Sequence, residues 1–277
     1  MSHILSGSEL AKKIRDELKS FIFKHDLRPS LGIILVGEDP ASKLYVGLKE
    51  KAAKEIGITL HTYRLPTKTT QEELDTVVEF LNNDETVDAI LIQLPLPSHL
   101  NDDATIKLMN AQKDVDGFHP DNLSALMKHE HHNFPGLIEG ILQLIESAKQ
   151  PLEHKKALII ANSEIFAKPL EHALVHMGLA VRIIDANDDR LVQSCQEADV
   201  IVTAVGKKWF IDESMVRDGS ILIDVGTVKD GDKTYGDINP NVDNKKVYRS
   251  PVPGGVGPMT IAMLLKNTLQ LHINKNS

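Results

Sequence analysis

The chain has 277 residues, 42% of them hydrophobic, a formal net charge of -8 at pH 7 and a single cysteine, Cys195. That length predicts one large domain or two of ordinary size with a sizeable core, and the negative balance excludes the basic face that nonspecific nucleic-acid binding needs. One cysteine excludes an intrachain disulfide framework and a multi-thiolate metal site, which fits a reducing compartment, so the cytoplasm is the expected location.

The N-terminal stretch MSHILSGSELAKKIRDELKS mixes acidic and basic residues, unlike a signal or transit peptide, and no apolar run approaches the roughly 18 residues of a membrane span. Ser6 with Glu9 makes a capping box, and Leu10, Ile14, Leu18 and Phe21/Ile22 recur at helical spacing to about His25. LGIILVG (31–37) is a short unbroken apolar run closed by glycine, the pattern of a parallel strand buried on both faces. A helix from about Pro40 to Ile56, a strand at ITLHTYRL, a helix from near Thr70 with its own capping box and a strand at DAILIQL follow. Residues 97–133 read as loop with one short helix near 102–109, and a helix is expected over about 136–148, broken at Gln150-Pro151. Alternation then restarts through KALIIAN, IFAKPLEHALVHMG, AVRIID, DRLVQSCQEA, DVIVTAV and SILIDVG, a second βαβ array of nucleotide-binding type. The class is α/β with two α/β domains, the second Rossmann-like, and a boundary around 140–150. Domain ranges of 1–143, completed by a C-terminal helix over 259–277, and 144–258 are expected. Three glycines and three prolines in SPVPGGVGPMT (250–260) make a shaped loop that delivers the chain onto that helix.

Several side chains could carry chemistry. Tyr45 and Lys49, four apart on one helix, project from one face and can converge on one substrate, although an isolated Tyr-x-x-x-Lys is more often an ordinary helix surface. The same pair marks short-chain dehydrogenases, but here it lies well ahead of the nucleotide-binding sheet, so that reading fails. Gln93 in QLPLP ends a buried strand at its carboxyl edge, the ligand side of α/β sheets; alternatively it satisfies loop backbone. Asp116 in KDVDGFHP reads locally as a turn acceptor. His129, Glu130, His131 and His132 cluster in a polar connection without i, i+4 spacing, so a solvated loop is expected and no metal.

PVPGGVGPMT is similar almost letter for letter to the C-terminal signature of the methylenetetrahydrofolate dehydrogenase/cyclohydrolase family, and YVGLK, QLPLP and KDVDGFHP resemble its other motifs in order and spacing. The resemblance implies two α/β domains facing across a cleft and two steps at one carbon. Hydride passes from 5,10-methylenetetrahydrofolate to NADP or NAD, and water then opens the methenyl product to 10-formyltetrahydrofolate. It implies Lys49 for proton handling, Tyr45 to orient substrate and water, Gln93 to hold the lysine and Asp116 to anchor the pterin. Pro253, Gly254, Gly255, Val256, Gly257 and Pro258 would wrap the folate. A homodimer is also implied, with tetrahydrofolate derivatives as the partners, and neither nucleic acid nor membrane.

The family's phosphate loop reads G-x-S-x-x-V-G-x-P, and here it is ANSEIFAKP. The resemblance places cofactor contacts at Ala161, Asn162, Ser163, Ala167 and Pro169, and at Thr227, with alanine for both glycines and Phe166 within the loop. Where the family often carries an arginine for the 2′-phosphate of NADP, this chain has Asp185, which suits a free ribose hydroxyl. PGLI from Pro135 replaces P-C-T-P, and Trp209 in GKKW stands where a small residue is usual. These departures leave two alternatives beside the bifunctional enzyme: a cyclohydrolase with impaired hydride transfer, or a folate-binding paralogue without turnover.

Overall fold

The protein is described here from a computed structural model covering residues 2–128 and 135–276. It divides into two compact units, Lys12–Gly136 with Ile261–Ser277, and Met1–Ala11 with Leu137–Thr260. The first eleven residues therefore cluster with the nucleotide-type array, not with the first domain as expected. The cause is β1 (His3–Ile4), which joins the sheet of that array through His3 N–H to Val247 O (2.7 Å) and Leu5 N–H to Arg249 O (2.7 Å).

From the N-terminus, α1 (Gly7–Lys24), β2 (Ser30–Val36), α2 (Pro40–Ile56), β3 (Thr59–Leu65), α3 (Gln71–Asn83), β4 (Ala89–Ile92), α4 (Asp102–Leu108) and α5 (Pro120–Met127) follow one another. The sheet of this unit is parallel, in the order β3-β2-β4. All seven residues of β2 are buried, as the unbroken apolar run requires. Helix α2 starts where Asp39 Oδ2 accepts from Ser42 N–H (2.7 Å) and Pro40 occupies the first turn; it stops at Gly57, whose φ of 89° needs glycine. This places Tyr45 and Lys49 one turn apart in the helix that follows β2. In α3 the capping box is complete: Glu73 N–H donates to Thr70 Oγ1 and Glu73 Oε2 accepts from Thr70 N–H. Thr70→Ala should therefore destabilise the protein by about 1 kcal/mol; an unchanged urea midpoint would contradict the capping role.

In the other unit come α6 (Gly136–Ser147), β5 (Lys156–Ala161), α7 (Glu164–His176), β6 (Ala180–Ile184), α8 (Leu191–Glu197), β7 (Val200–Ala204), β8 (Ile221–Asp224), a β9 (Val228–Asp230) to β10 (Lys233–Tyr235) hairpin and β11 (Tyr248–Arg249). Its main sheet is parallel, in the order β1-β11-β8-β7-β5-β6. Strand order reverses at β5/β7, so the loops leaving these two strands flank the crevice where such sheets hold ligands.

The last helix, α9 (Val256–Lys275), begins three residues before the expected start. Val256, Gly257 and Pro258 are helical, because proline in a first turn forfeits no hydrogen bond. Its Ile261, Leu264, Leu265 and Leu269, which recur at helical spacing, join the core built on β2 and α2, and Leu271 joins them there. Helix α5 lies in the stretch expected to be mostly loop, and the short strands β1, β9, β10 and β11 are also additions to the expected elements.

Candidate active site

At the carboxyl end of the β3-β2-β4 sheet, Lys49 on α2 meets Gln93 just past β4. Lys49 Nζ donates to Gln93 Oε1 at 2.8 Å, and Gln93 Nε2 donates to Leu94 O at 2.7 Å. The second bond settles the amide's orientation, so the carbonyl oxygen is the group that faces the amine. Gln93 itself is fixed by its N–H to Ile34 O, which extends the β2–β4 ladder by one residue (2.9 Å).

Asp116 arrives by another route. Ile90 bridges in parallel with Asp114, and Val115 N–H reaches Ile90 O, which carries Asp116 to the same sheet end. The turn beyond is wound around the buried Asp114, whose carboxylate accepts from Gly117 N–H (3.0 Å), His119 N–H (2.7 Å) and Asn122 Nδ2 (2.9 Å). Sequence reasoning missed Asp114. Its signal was an aspartate three residues before a glycine and five before a histidine that caps α5 through Nδ1 (Asp121 N–H to His119, 3.1 Å).

Burial raises Asp116 to about 6, opposed by the Lys49 charge and reinforced by Asp114. Burial lowers Lys49, and Asp116 partly offsets the loss. A carboxylate whose proton binding reaches toward neutrality thus lies within the field of an amine that gives up its proton more easily than an ordinary lysine. Tyr45 is exposed, and its hydroxyl makes no hydrogen bond among the described residues, so the structure joins Lys49, Gln93 and Asp116 and leaves the phenol free for a ligand.

The 250–258 loop belongs to the other unit. Gly254 takes φ 104°, and its carbonyl accepts from Ser8 N–H at 2.9 Å. A Cβ at Gly255 would lie 2.5 Å from Pro251 O, so only glycine closes this turn. Gly255 leads directly into Val256, Gly257 and Pro258 at the start of α9, while Pro253 precedes the turn.

In the same unit, Ser163 is the N-cap of α7 and makes no side-chain cap hydrogen bond, leaving its hydroxyl and the first-turn amides open to an anion. Ala161 ends β5 and Ala167 lies inside α7; neither has a positive φ, so replacing the family's glycines introduces no backbone strain. Asn162 Nδ2 donates to Val205 O (3.2 Å), Pro169 is buried within α7 and Thr227 is exposed after β8. Asp185 lies exposed at the end of β6, with Oδ1 accepting from Asn187 N–H (2.8 Å) and Asn187 Nδ2 (2.9 Å). Arg190, the nearest arginine along the chain after it, is paired with Asp188. An open helix N-terminus, an uncapped serine and a carboxylate at the next strand end fit the phosphate and ribose groups of a dinucleotide. Trp209 adopts φ 59°, a conformation natural to glycine, and packs edge-on against Tyr235 (5.5 Å between centroids).

His129, Glu130, His131 and His132 lie outside the described residues. Among the described residues no three or more His, Cys, Asp or Glu side chains are grouped to hold a metal ion, and no helix is long and apolar enough to cross a membrane.

Residues 5–116 match a family model described as tetrahydrofolate dehydrogenase/cyclohydrolase, catalytic domain, and residues 135–276 match the NAD(P)-binding domain of the same family. The chain is 41% identical over 276 residues to a bifunctional protein FolD from Halothermothrix orenii, covering 98% of each. It is similar to the solved bifunctional enzyme FolD of Campylobacter jejuni (TM-score 0.94, 38% identity, 99% of each chain). A Trypanosoma brucei methylenetetrahydrofolate dehydrogenase-cyclohydrolase solved with NADP and an inhibitor gives TM-score 0.93 at 29% identity, over 99% of this chain and 98% of that one.

Proposed function

The chain belongs to the tetrahydrofolate dehydrogenase/cyclohydrolase family, and from that premise we infer how its residues share the two reactions. The enzyme oxidises 5,10-methylenetetrahydrofolate to the 5,10-methenyl compound with NAD(P) and hydrolyses that product to 10-formyltetrahydrofolate. The observation that carries the site reading is the Lys49–Gln93 hydrogen bond, in the field of Asp116 at the carboxyl end of one sheet.

Bound NAD(P) supplies the hydride acceptor. Asp116, as carboxylate, accepts from the pterin's amino and ring N–H groups, a charge-assisted pairing that fixes the ring. Gln93 Oε1 holds the Lys49 amine in one position. As water adds to the methenyl carbon, Lys49 takes one of its protons; the C–N bond to N5 then breaks as the new hydroxyl becomes the formyl C=O, and the hydroxyl's proton passes to N5. Tyr45 orients substrate and water from the next turn of α2. Substrate contacts from Pro253 through Pro258 are part of the same reading, supported by the motif they match. No metal enters this scheme, since the proton passes to a side chain.

Ala161, Asn162, Ser163, Ala167, Pro169 and Thr227 are assigned to the dinucleotide, with Asp185 accepting from the ribose 2′-hydroxyl. A carboxylate there repels a 2′-phosphate, a repulsion that solvent and salt reduce at an exposed position. NAD should therefore be preferred over NADP by about tenfold or more in kcat/KM. Assaying methylenetetrahydrofolate oxidation with each nucleotide checks this; equal or better use of NADP would overturn it. A cytoplasmic homodimer completes the reading. The resemblance supports the dimer, and the lone buried Cys195, its thiol pushed up to about 12 by burial, is compatible with a reducing compartment.

A further inference from the structure

Behind the crevice at β5/β7 lie two buried carboxylates, Asp224 and Asp237, with no cationic partner among the described residues. Burying such charges is costly unless donors surround them. Asp237 Oδ2 accepts from Thr203 Oγ1 (2.9 Å) and Val205 N–H (2.7 Å), and its Oδ1 accepts from Lys207 N–H (2.8 Å). Asp224 Oδ1 accepts from Gly226 N–H (3.1 Å) and Asp237 N–H (3.0 Å), and its Oδ2 accepts from Ile238 N–H (2.8 Å). The donors come from the segments leaving β7 and β8 and from residues 237 and 238. Approach is so close that a Cβ on Gly226 would lie 2.1 Å from Asp237 Oδ1, and one on Gly236 would lie 2.0 Å from Asp224 Oδ2.

The chain of bonds runs on into the phosphate loop. Val205, whose N–H is held by Asp237, offers its carbonyl to Asn162 Nδ2. One continuous network thus links the loop after β5, the loop after β7 and the loop after β8, the last ending in the exposed Thr227. We propose that Asp237, backed by Asp224, is a positioning residue of the dinucleotide site, setting the β7 and β8 loops against the Asn162 loop. Burial raises Asp224 to about 7, an effect that the N–H donors of Ile238, Asp237 and Gly226 oppose. The proposal rests on the assignment of this crevice to NAD(P).

The test is direct titration with NADH, followed by the emission of Trp209, the only tryptophan in the chain. Trp209 lies in the braced segment, its N–H bonded to Gly236 O (3.0 Å), so its emission reports that segment. Asp237→Asn keeps the shape but turns an NH2 toward N–H donors, and should raise the Kd for NADH by about tenfold or more. Thr203→Val, which removes one donor at nearly constant volume, should raise it by about threefold and serves if the first variant fails to fold. Unfolding midpoints are measured alongside. A merely structural role would lower the midpoint of Thr203→Val and leave its NADH affinity unchanged, which would overturn the proposal. Failure of the unsubstituted protein to bind NADH would overturn the cofactor assignment and the proposal together. Normal binding by the unsubstituted protein with unchanged Kd in both variants would overturn the positioning role alone.

Discussion

Lys49→Met lowers hydrolysis of 5,10-methenyltetrahydrofolate by about a hundredfold or more, the scale of a lost general base, while folate affinity stays within a few fold. Methionine keeps the length of the side chain and packs in the half-buried position, so the helix and the pterin contact survive. What disappears is the amine at 2.8 Å from Gln93 Oε1. Because burial lowers the Lys49 pKa, the neutral amine becomes available at a pH below the ordinary lysine range. Hydrolysis by the unsubstituted enzyme should accordingly climb as pH rises through that lowered pKa, and the climb should be absent from the variant. Decay of the methenyl absorbance across a pH series measures both. Full hydrolysis by Lys49→Met would remove the lysine from the mechanism.

Asp116→Ala weakens folate binding by about 2 to 4 kcal/mol, the cost of leaving buried polar partners on the pterin unpaired. The sign of its pH dependence follows from the raised carboxyl. Asp116 is ionised above about 6 and binds in that form, so affinity is present above that value and is lost as pH falls through it. The same variant removes the negative charge that partly restores the Lys49 pKa, so its residual hydrolysis should rise at lower pH than in the unsubstituted enzyme. Isothermal titration with a folate substrate analogue at several pH values reads the affinity. Unchanged affinity would put the pterin elsewhere.

Long runs with a single period were legible in the sequence. The β2 run has no polar interruption, and the bounds of α2 are written in Asp39-Pro40 and Gly57, each acting through backbone chemistry that depends on neighbours in sequence. Strands β1 and β11 have two residues each, too short for any period, and exist because they pair with a sheet already formed. Helix α5 opens on His119-Pro120, where an imidazole nitrogen replaces the usual oxygen cap. The start of α9 was hidden by glycine and proline that are breakers in a helix interior and tolerated in its first turn.

The site divides in the same way. Lys49 and Tyr45 could be paired from helical spacing, whereas the bond from Lys49 to Gln93 crosses 44 positions and depends on how α2 lies over the sheet. Asp114 is bound by N–H groups three and five residues on, marked in sequence only by a glycine and a histidine, whereas Asp224 and Asp237 left no clear mark because most of their donors come from segments distant in sequence. The alanines at 161 and 167 were legible as departures, but whether they cost anything depended on φ, which is not left-handed at either.

Both reactions belong to one chain, and one cuvette can follow them. Purified protein is given 5,10-methylenetetrahydrofolate and NAD while NADH, the methenyl compound and 10-formyltetrahydrofolate are recorded together. The expected result is NADH formed in step with 10-formyltetrahydrofolate and little standing methenyl compound, with Lys49→Met making 10-formyl product at no more than about a hundredth of the rate. Equal 10-formyl formation by the variant, or no NADH from NAD and no NADPH from NADP with the unsubstituted protein, would contradict the account.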